Sequence, residues 1–185
     1  VRLVQAAVDA FGRLDALVNA AGISKMVAHP QLHDLSADDF QRIYAVNTVG
    51  PFLMTRAAAP HLKAAGKASV VNISSRAGIA GSGSSIAYAA SKGALNTMTL
   101  SLARVLAPEV RVNAVCPVLV EGGFVERLAP ESFAQRREHQ IKVTPLHRIG
   151  HPDEVAETIH WLTTGASMMT GAIVELDFGL HLNAV

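Results

Sequence analysis

In the run YAASK, residues 88–92, a phenol stands four residues ahead of an ammonium group among small apolar neighbours. Residues four apart share one face of a helix, so Tyr88 and Lys92 can approach each other or one common ligand. A free phenol has a pKa of about 10 and is a poor base at neutral pH. An adjacent cation lowers that value, which makes the phenol a usable proton donor and acceptor. The same spacing also arises on ordinary helix faces, so the pair needs company before it means chemistry. Asn72-Ile73-Ser74-Ser75 supplies some: it puts hydroxyls at the carboxyl end of a buried strand, the edge where open α/β sheets take ligands. Ser75 can face Tyr88 from there, although side-chain chemistry alone does not separate it from Ser74. Asn47 adds a third feature, because Pro51 follows it by four residues inside a helical pattern. Proline has no N–H, so the carbonyl of Asn47 loses its ordinary donor and can hold a water. A helix that bends around the core has the same signature, and both readings stay open on these residues.

The elements that must position these groups follow from the periodicity of the apolar residues. Helical spacing runs over 1–11 and stops at Gly12, and a short apolar strand follows at 14–19. A loop extends to about Leu35. Ser36 and Asp39 read as an N-cap with its acidic partner, opening one long helix over 36–65. A second strand occupies 68–74, a Gly/Ser-rich loop 78–85, a helix 88–106 and a third strand 111–116. The mixed-charge segment 121–142 predicts one or two short helices, either a substrate lid or a solvated amphipathic surface. Pro152 with Asp153 and Glu154 opens the next helix, and 172–177 is the last strand. Strands alternating with helices in this order form half of a doubly wound parallel sheet in a single domain. Gly81-Ser82-Gly83 has Ile86 where a third glycine would complete a phosphate-binding turn, and it reads as a loop.

Composition narrows the function classes. The 185 residues are 50% hydrophobic and 17% charged with a formal net charge of +1, which offers no basic stripe for nucleic acid and favours a small neutral partner. Cys116 is the single cysteine and sits among valines and a proline, as a buried strand end does; that fits a reducing cytoplasm. No apolar run reaches the roughly 18 residues that span a bilayer, and no export signal opens the chain. His29 with His33, and His147 with His151, are four apart in probable loops with no cysteine or carboxylate to complete a zinc set, so no metal is expected.

Taken together, NAAG at 19–22, VNTVGPF at 46–52, SVVNISS at 69–75, YAASKGAL at 88–95, VRVNAVCP at 110–117, RIGHPDEVA at 148–156 and TGAIVELDFG at 170–179 resemble the short-chain dehydrogenase/reductase family. The resemblance implies a Rossmann-like doubly wound sheet of which this chain is the C-terminal part, about four strands with flanking helices. It implies an oxidoreductase that interconverts an alcohol and a ketone or aldehyde with NAD or NADP. In that scheme Tyr88 is the general acid or base, Lys92 lowers its pKa and binds the nicotinamide ribose, and Ser75, selected over Ser74 by the family's spacing, polarises the carbonyl. Asn47 positions a water in the proton relay. Asn19, Gly22, Pro117 and Val120 join Tyr88 and Lys92 around the cofactor. The family also implies a homodimer or tetramer packed through the 36–65 and 88–106 helices, where Ala57, Ala58 and Ala94 permit close approach.

Departures from the family pattern shape the expectation. The TGxxxGxG turn, the first three strands and the residue that selects NAD or NADP would precede Val1. Val118 and Gly122 stand where the family has glycine and threonine, and Phe178 interrupts its DGG. The alternative to an enzyme is therefore a non-catalytic, oligomerising remnant that cannot bind cofactor, and little dinucleotide binding is expected of the 185 residues alone.

Overall fold

The apolar runs form a parallel sheet in the order β1 to β4, comprising β1 (Ala16–Asn19), β2 (Ala68–Ile73), β3 (Val110–Pro117) and β4 (Ile173–Leu176). These assignments come from a computed structural model that describes residues 2–183. Register is set by matching residues such as Val70 with Val112 and Ala114 with Ile173. Side chains alternate across a strand, so neighbouring valines serve opposite layers. Val70 and Val112 pack with Val4, Ala58, Leu62 and Leu102 on one face, whereas Val71 and Val115 pack with Leu162 and Ala166 on the other. Helices α1 (Arg2–Phe11), α3 (Gly50–Ala65) and α5 (Ile86–Leu106) supply the first layer, and α8 (Pro152–Thr164) supplies the second. Val1, the expected first residue of α1, lies outside the described residues.

The predicted 36–65 helix runs unbroken from Ala37 to Ala65 but is not α-wound throughout. Ser36 caps α2 (Ala37–Tyr44) through the expected capping box with Asp39, whose carboxyl is held down to about 2 by Lys25 and by Ser36. A π-wound segment, Ala45–Val49, then separates α2 from α3, with the Gly50 N–H donating to the Ala45 carbonyl five residues back. Pro51 falls in the first turn of α3, where a missing N–H does no harm. The 78–85 stretch also departs from a plain loop, because α4 (Ala77–Ala80) forms a single turn at its start. The mixed-charge segment resolves into α6 (Phe124–Leu128) and α7 (Pro130–Val143), divided where Pro130 begins the second helix.

Polar groups tie the sheet to the first helical layer. Asn72 is fully buried; its Oδ1 accepts from Asn19 Nδ2 at 2.8 Å and its Nδ2 donates to Thr99 Oγ1 at 2.9 Å. Buried amides without partners cost more than the bonds they make return. Asn72→Ala therefore takes one hydrogen bond from each of two buried partners and opens a void, and chemical denaturation is expected to show a loss of about 2–4 kcal/mol.

Candidate active site

Ser85 begins α5 by accepting from the Tyr88 N–H at 3.2 Å, which places Tyr88 in the first turn and Lys92 one turn later. The partner serine reaches the same place through a contact between backbones. A Cβ on Gly78 would stand 2.5 Å from the Lys92 carbonyl carbon, and one on Gly93 would stand 3.3 Å from the Gly78 oxygen. Only glycine lets α4 press this closely on α5. The turn that follows β2 is thereby folded back, with the Ala77 N–H donating to Ser75 Oγ at 3.1 Å, and Ser75 lines the same cavity as Tyr88. Ser74 is committed elsewhere, its hydroxyl donating to the Lys92 carbonyl at 3.2 Å. Both serines line the cavity described next, and they differ in that the Ser74 hydroxyl is spent on a backbone carbonyl.

Tyr88 is buried, and burial pushes its phenol up to about 12, while the Ser75 hydroxyl pulls the other way. Burial likewise brings Lys92 down to about 8. Its ammonium lies 5.7 Å from the centre of the Tyr88 ring and donates to the Ile73 carbonyl at 2.7 Å. The expected fall in the phenol pKa beside Lys92 does not occur: desolvation of the phenol is the largest influence and the ammonium contributes no lowering. Phe124 walls the far side, its ring 5.4 Å from that of Tyr88. Cys116 is buried with its thiol pushed up to about 11, chiefly by burial, as an inert strand-end cysteine should be.

These groups open into a cavity of about 940 Å³ at the carboxyl ends of the strands, lined by Gly22, Ser75, Tyr88, Lys92, Pro117 and Val120 among others. The Val120 carbonyl already accepts from the Gly123 N–H at 3.2 Å, and Gly122, in place of the family's threonine, donates its N–H to Glu126. The structure does not bring Asn19 or Asn47 to the lining. Asn19 spends its amide on Asn72 and Thr55. Asn47, in the middle of the π segment, clamps Ile23 at both backbone groups, at 2.9 and 3.0 Å, and donates to Ser91 Oγ at 3.0 Å. It fixes the loop that carries Gly22.

Two features of the site have no local signal in the sequence. Arg76, next to Ser75, pairs with Asp177 at 3.3 Å and with Glu175 at 3.7 Å. Asp177 also takes bonds from His181 and Gly179; burial raises its carboxyl, but these bonds together hold it below the usual range. Glu175, Asp177 and His181 have ligand atoms within 4.8 Å of one another, and Arg76 supplies a positive charge to that group. The second feature is Gln140 on α7, whose Oε1 accepts from the Leu119 N–H at 3.1 Å and joins the helix to the loop after β3.

Fold and site define an α/β protein whose ligand cavity sits at the carboxyl edge of a parallel sheet and is built around a Tyr-Lys pair on one helix. Known proteins share the sequence and the fold. The family profile described as enoyl-(acyl carrier protein) reductase matches residues 1–181. A Streptomyces violaceoruber protein provisionally named granaticin polyketide synthase ketoacyl reductase 2 is 42% identical over 181 residues, covering 98% of this chain and 72% of its own length. A crystal structure provisionally described as a short-chain dehydrogenase/reductase from Burkholderia xenovorans matches with a TM-score of 0.89 and 42% identity over 98% of this chain and 70% of that one. An NAD+-bound xylitol dehydrogenase matches with a TM-score of 0.84 and 29% identity over 96% and 73%. The chain belongs to the short-chain dehydrogenase/reductase family of oxidoreductases. Among the described residues, no helix is long and apolar enough to cross a membrane.

Proposed function

We propose that the protein is an NAD- or NADP-dependent oxidoreductase that interconverts a small alcohol and its ketone or aldehyde, with Tyr88 exchanging the proton on the substrate oxygen. The observation that carries this reading is the meeting of Ser75, Tyr88 and Lys92 in one cavity. The lining also suits a nicotinamide ribose. At Gly22 a Cβ would stand 3.5 Å from Asn47 Oδ1 and 3.7 Å from Lys92 Nζ, so bare backbone leaves room beside the ammonium. Gly22, Lys92, Pro117 and Val120 would hold the cofactor, with Asn19 and Asn47 supporting that wall from behind. When bound, the cofactor donates or accepts the hydride.

The chain's own part is the proton and its surroundings. A phenol near 12 is fully protonated at neutral pH and is poised to donate to a carbonyl oxygen that gains charge during reduction. Ser75 holds that oxygen by a hydrogen bond as the charge develops. Lys92 stabilises the phenolate left behind, and it does so only while it is an ammonium ion. Exposed apolar side chains on α3 and α5, including Phe52, Leu53 and Val105, fit packing between subunits of a dimer or tetramer.

The pH profile tests this reading. Tyr88 stays protonated throughout the accessible range, whereas Lys92 loses its proton above about 8. The rate of carbonyl reduction by the full-length protein, followed by oxidation of NADH or NADPH, is expected to be flat up to about pH 8 and to decline above it. A rate that climbs through this range, or no reduction of any ketone with either cofactor, would overturn the assignment.

A further inference from the structure

A second cavity of about 470 Å³ adjoins the first, and the two share Gly22, Phe124 and Arg127. Apart from Tyr88, the ionisable side chains lining the pair are Arg42, Arg76, Lys92, Arg127, Arg136 and His139; among the described residues, no carboxylate lines either one. The chain as a whole has 16 basic and 15 acidic side chains, so this sorting by sign is local and not a reflection of composition. Part of the positive charge is already answered. Arg76 is paired with Asp177 and Glu175, and Lys92 is held at the Ile73 carbonyl. Among the described residues, Arg42, Arg127, Arg136 and His139 make no ion pair, and Arg136 has only a bond to Ser132 Oγ at 3.2 Å.

The helices that carry these residues sort their charges in the same way. On α7, Arg136, His139, Gln140 and Val143 fall on one face at helical spacing and line the cavity, while Glu131 and Glu138 do not line it. Arg137 is turned to Glu121 at 3.5 Å. On α6, Phe124 packs on the Tyr88 ring, and Arg127 follows three residues later, about 5 Å further along the helix axis. Arg127 thus stands at the junction of the two cavities, in the lining of both. Its planar fork suits two oxygens of a carboxylate or phosphate.

Resting on the oxidoreductase reading above, we propose that the substrate is an anionic alcohol or carbonyl compound, bearing a carboxylate or phosphate group a few atoms from the reacting carbon, and that Arg127 binds this group while the reacting oxygen lies at Tyr88. The pyrophosphate of the cofactor is another anion that the same cation could serve, and the test separates the two.

Calorimetric titration of the protein with 3-oxobutanoate, 4-oxopentanoate and 5-oxohexanoate, each beside its methyl ester, measures the preference for charge at three lengths. At least one acid is expected to bind about tenfold more tightly than its ester, with the gap closing at high salt. Arg127→Gln should bring that ratio to within about threefold of one, whereas Arg137→Gln, outside the cavity, should leave it in place. Ratios near one for all three pairs, failure of every ligand to bind, or a preference that survives Arg127→Gln would overturn the proposal. So would a variant that binds NADH and NADPH more weakly while its acid-to-ester ratio stays high, since Arg127 would then serve the cofactor. Binding of the acid lost in Arg127→Gln, without oxidation of either cofactor by any carbonyl compound, supports the anion site and removes the oxidoreductase reading instead.

Discussion

Tyr88→Phe is expected to reduce turnover by about 10²- to 10⁴-fold, the range that a positioned proton donor contributes. The substitution removes one oxygen and keeps the ring that packs on Phe124, so the cavity wall and the start of α5 should survive. Ser75 remains held to the α4 turn by the Ala77 N–H at 3.1 Å. Cofactor affinity, which depends on Lys92 and the backbone at Gly22 and Val120 in the proposed function, should change little. Steady-state rates beside cofactor titrations make the comparison, and unchanged turnover with intact cofactor binding would end the case for Tyr88.

Lys92→Met should separate activity from stability. Lys92 is only 4% exposed as a residue, and burial depresses the pKa of its ammonium from 10.5 to about 8. A depression of that size corresponds to roughly 3 kcal/mol of unfavourable burial at neutral pH. Loss of the bond to the Ile73 carbonyl returns about 1 kcal/mol of that, so the variant is expected to be about 2 kcal/mol more stable at pH 7. The sign follows from proton uptake. Between about 8 and 10.5 the unfolded chain holds a proton on this lysine that the folded protein has released, so the native protein gains stability as pH rises through that window. The advantage of the variant should therefore shrink between pH 8 and pH 10.5. Turnover should meanwhile fall at least about 100-fold, since nothing is left to stabilise the phenolate. Urea unfolding at both ends of the window measures the first effect. A variant less stable than the parent at pH 7 would show that the lysine is not a strained charge.

What the sequence made legible were the features carried by short, regular spacing. The i, i+4 pair at Tyr88 and Lys92, the apolar strands, the cap at Ser36 and the hydroxyls after Ile73 each depend on neighbours in the chain, and the parallel sheet places them as expected. A disturbance near Asn47 was legible from the proline four residues on, but its π form was not, because Ala45–Val49 contains nothing that a helix refuses; Asn47 bonds Ile23 and Ser91 from within it. Arg76 and Asp177 are 101 residues apart, so no local pattern announces their pairing. Asn19 and Asn47 carry a motif signature that does not say whether they touch a ligand or the backbone behind it. A formal charge of +1 suggested a neutral partner, yet the average conceals that arginines and a histidine face the cavities and carboxylates do not.

The π segment has one further consequence. Each residue of an α-helix turns the chain by about 100°, so winding one extra residue into the junction acts as a phase shift between α2 and α3. Ahead of the shift, Ile43 is buried; within it, Asn47 reaches Ile23 and Thr48 reaches the Ser91 carbonyl; beyond it, Ala58 and Leu62 meet the sheet. A uniform helix would have to choose among these targets. The local miswinding lets one stretch of chain serve as the support of the cavity at one end and as a layer of the core at the other.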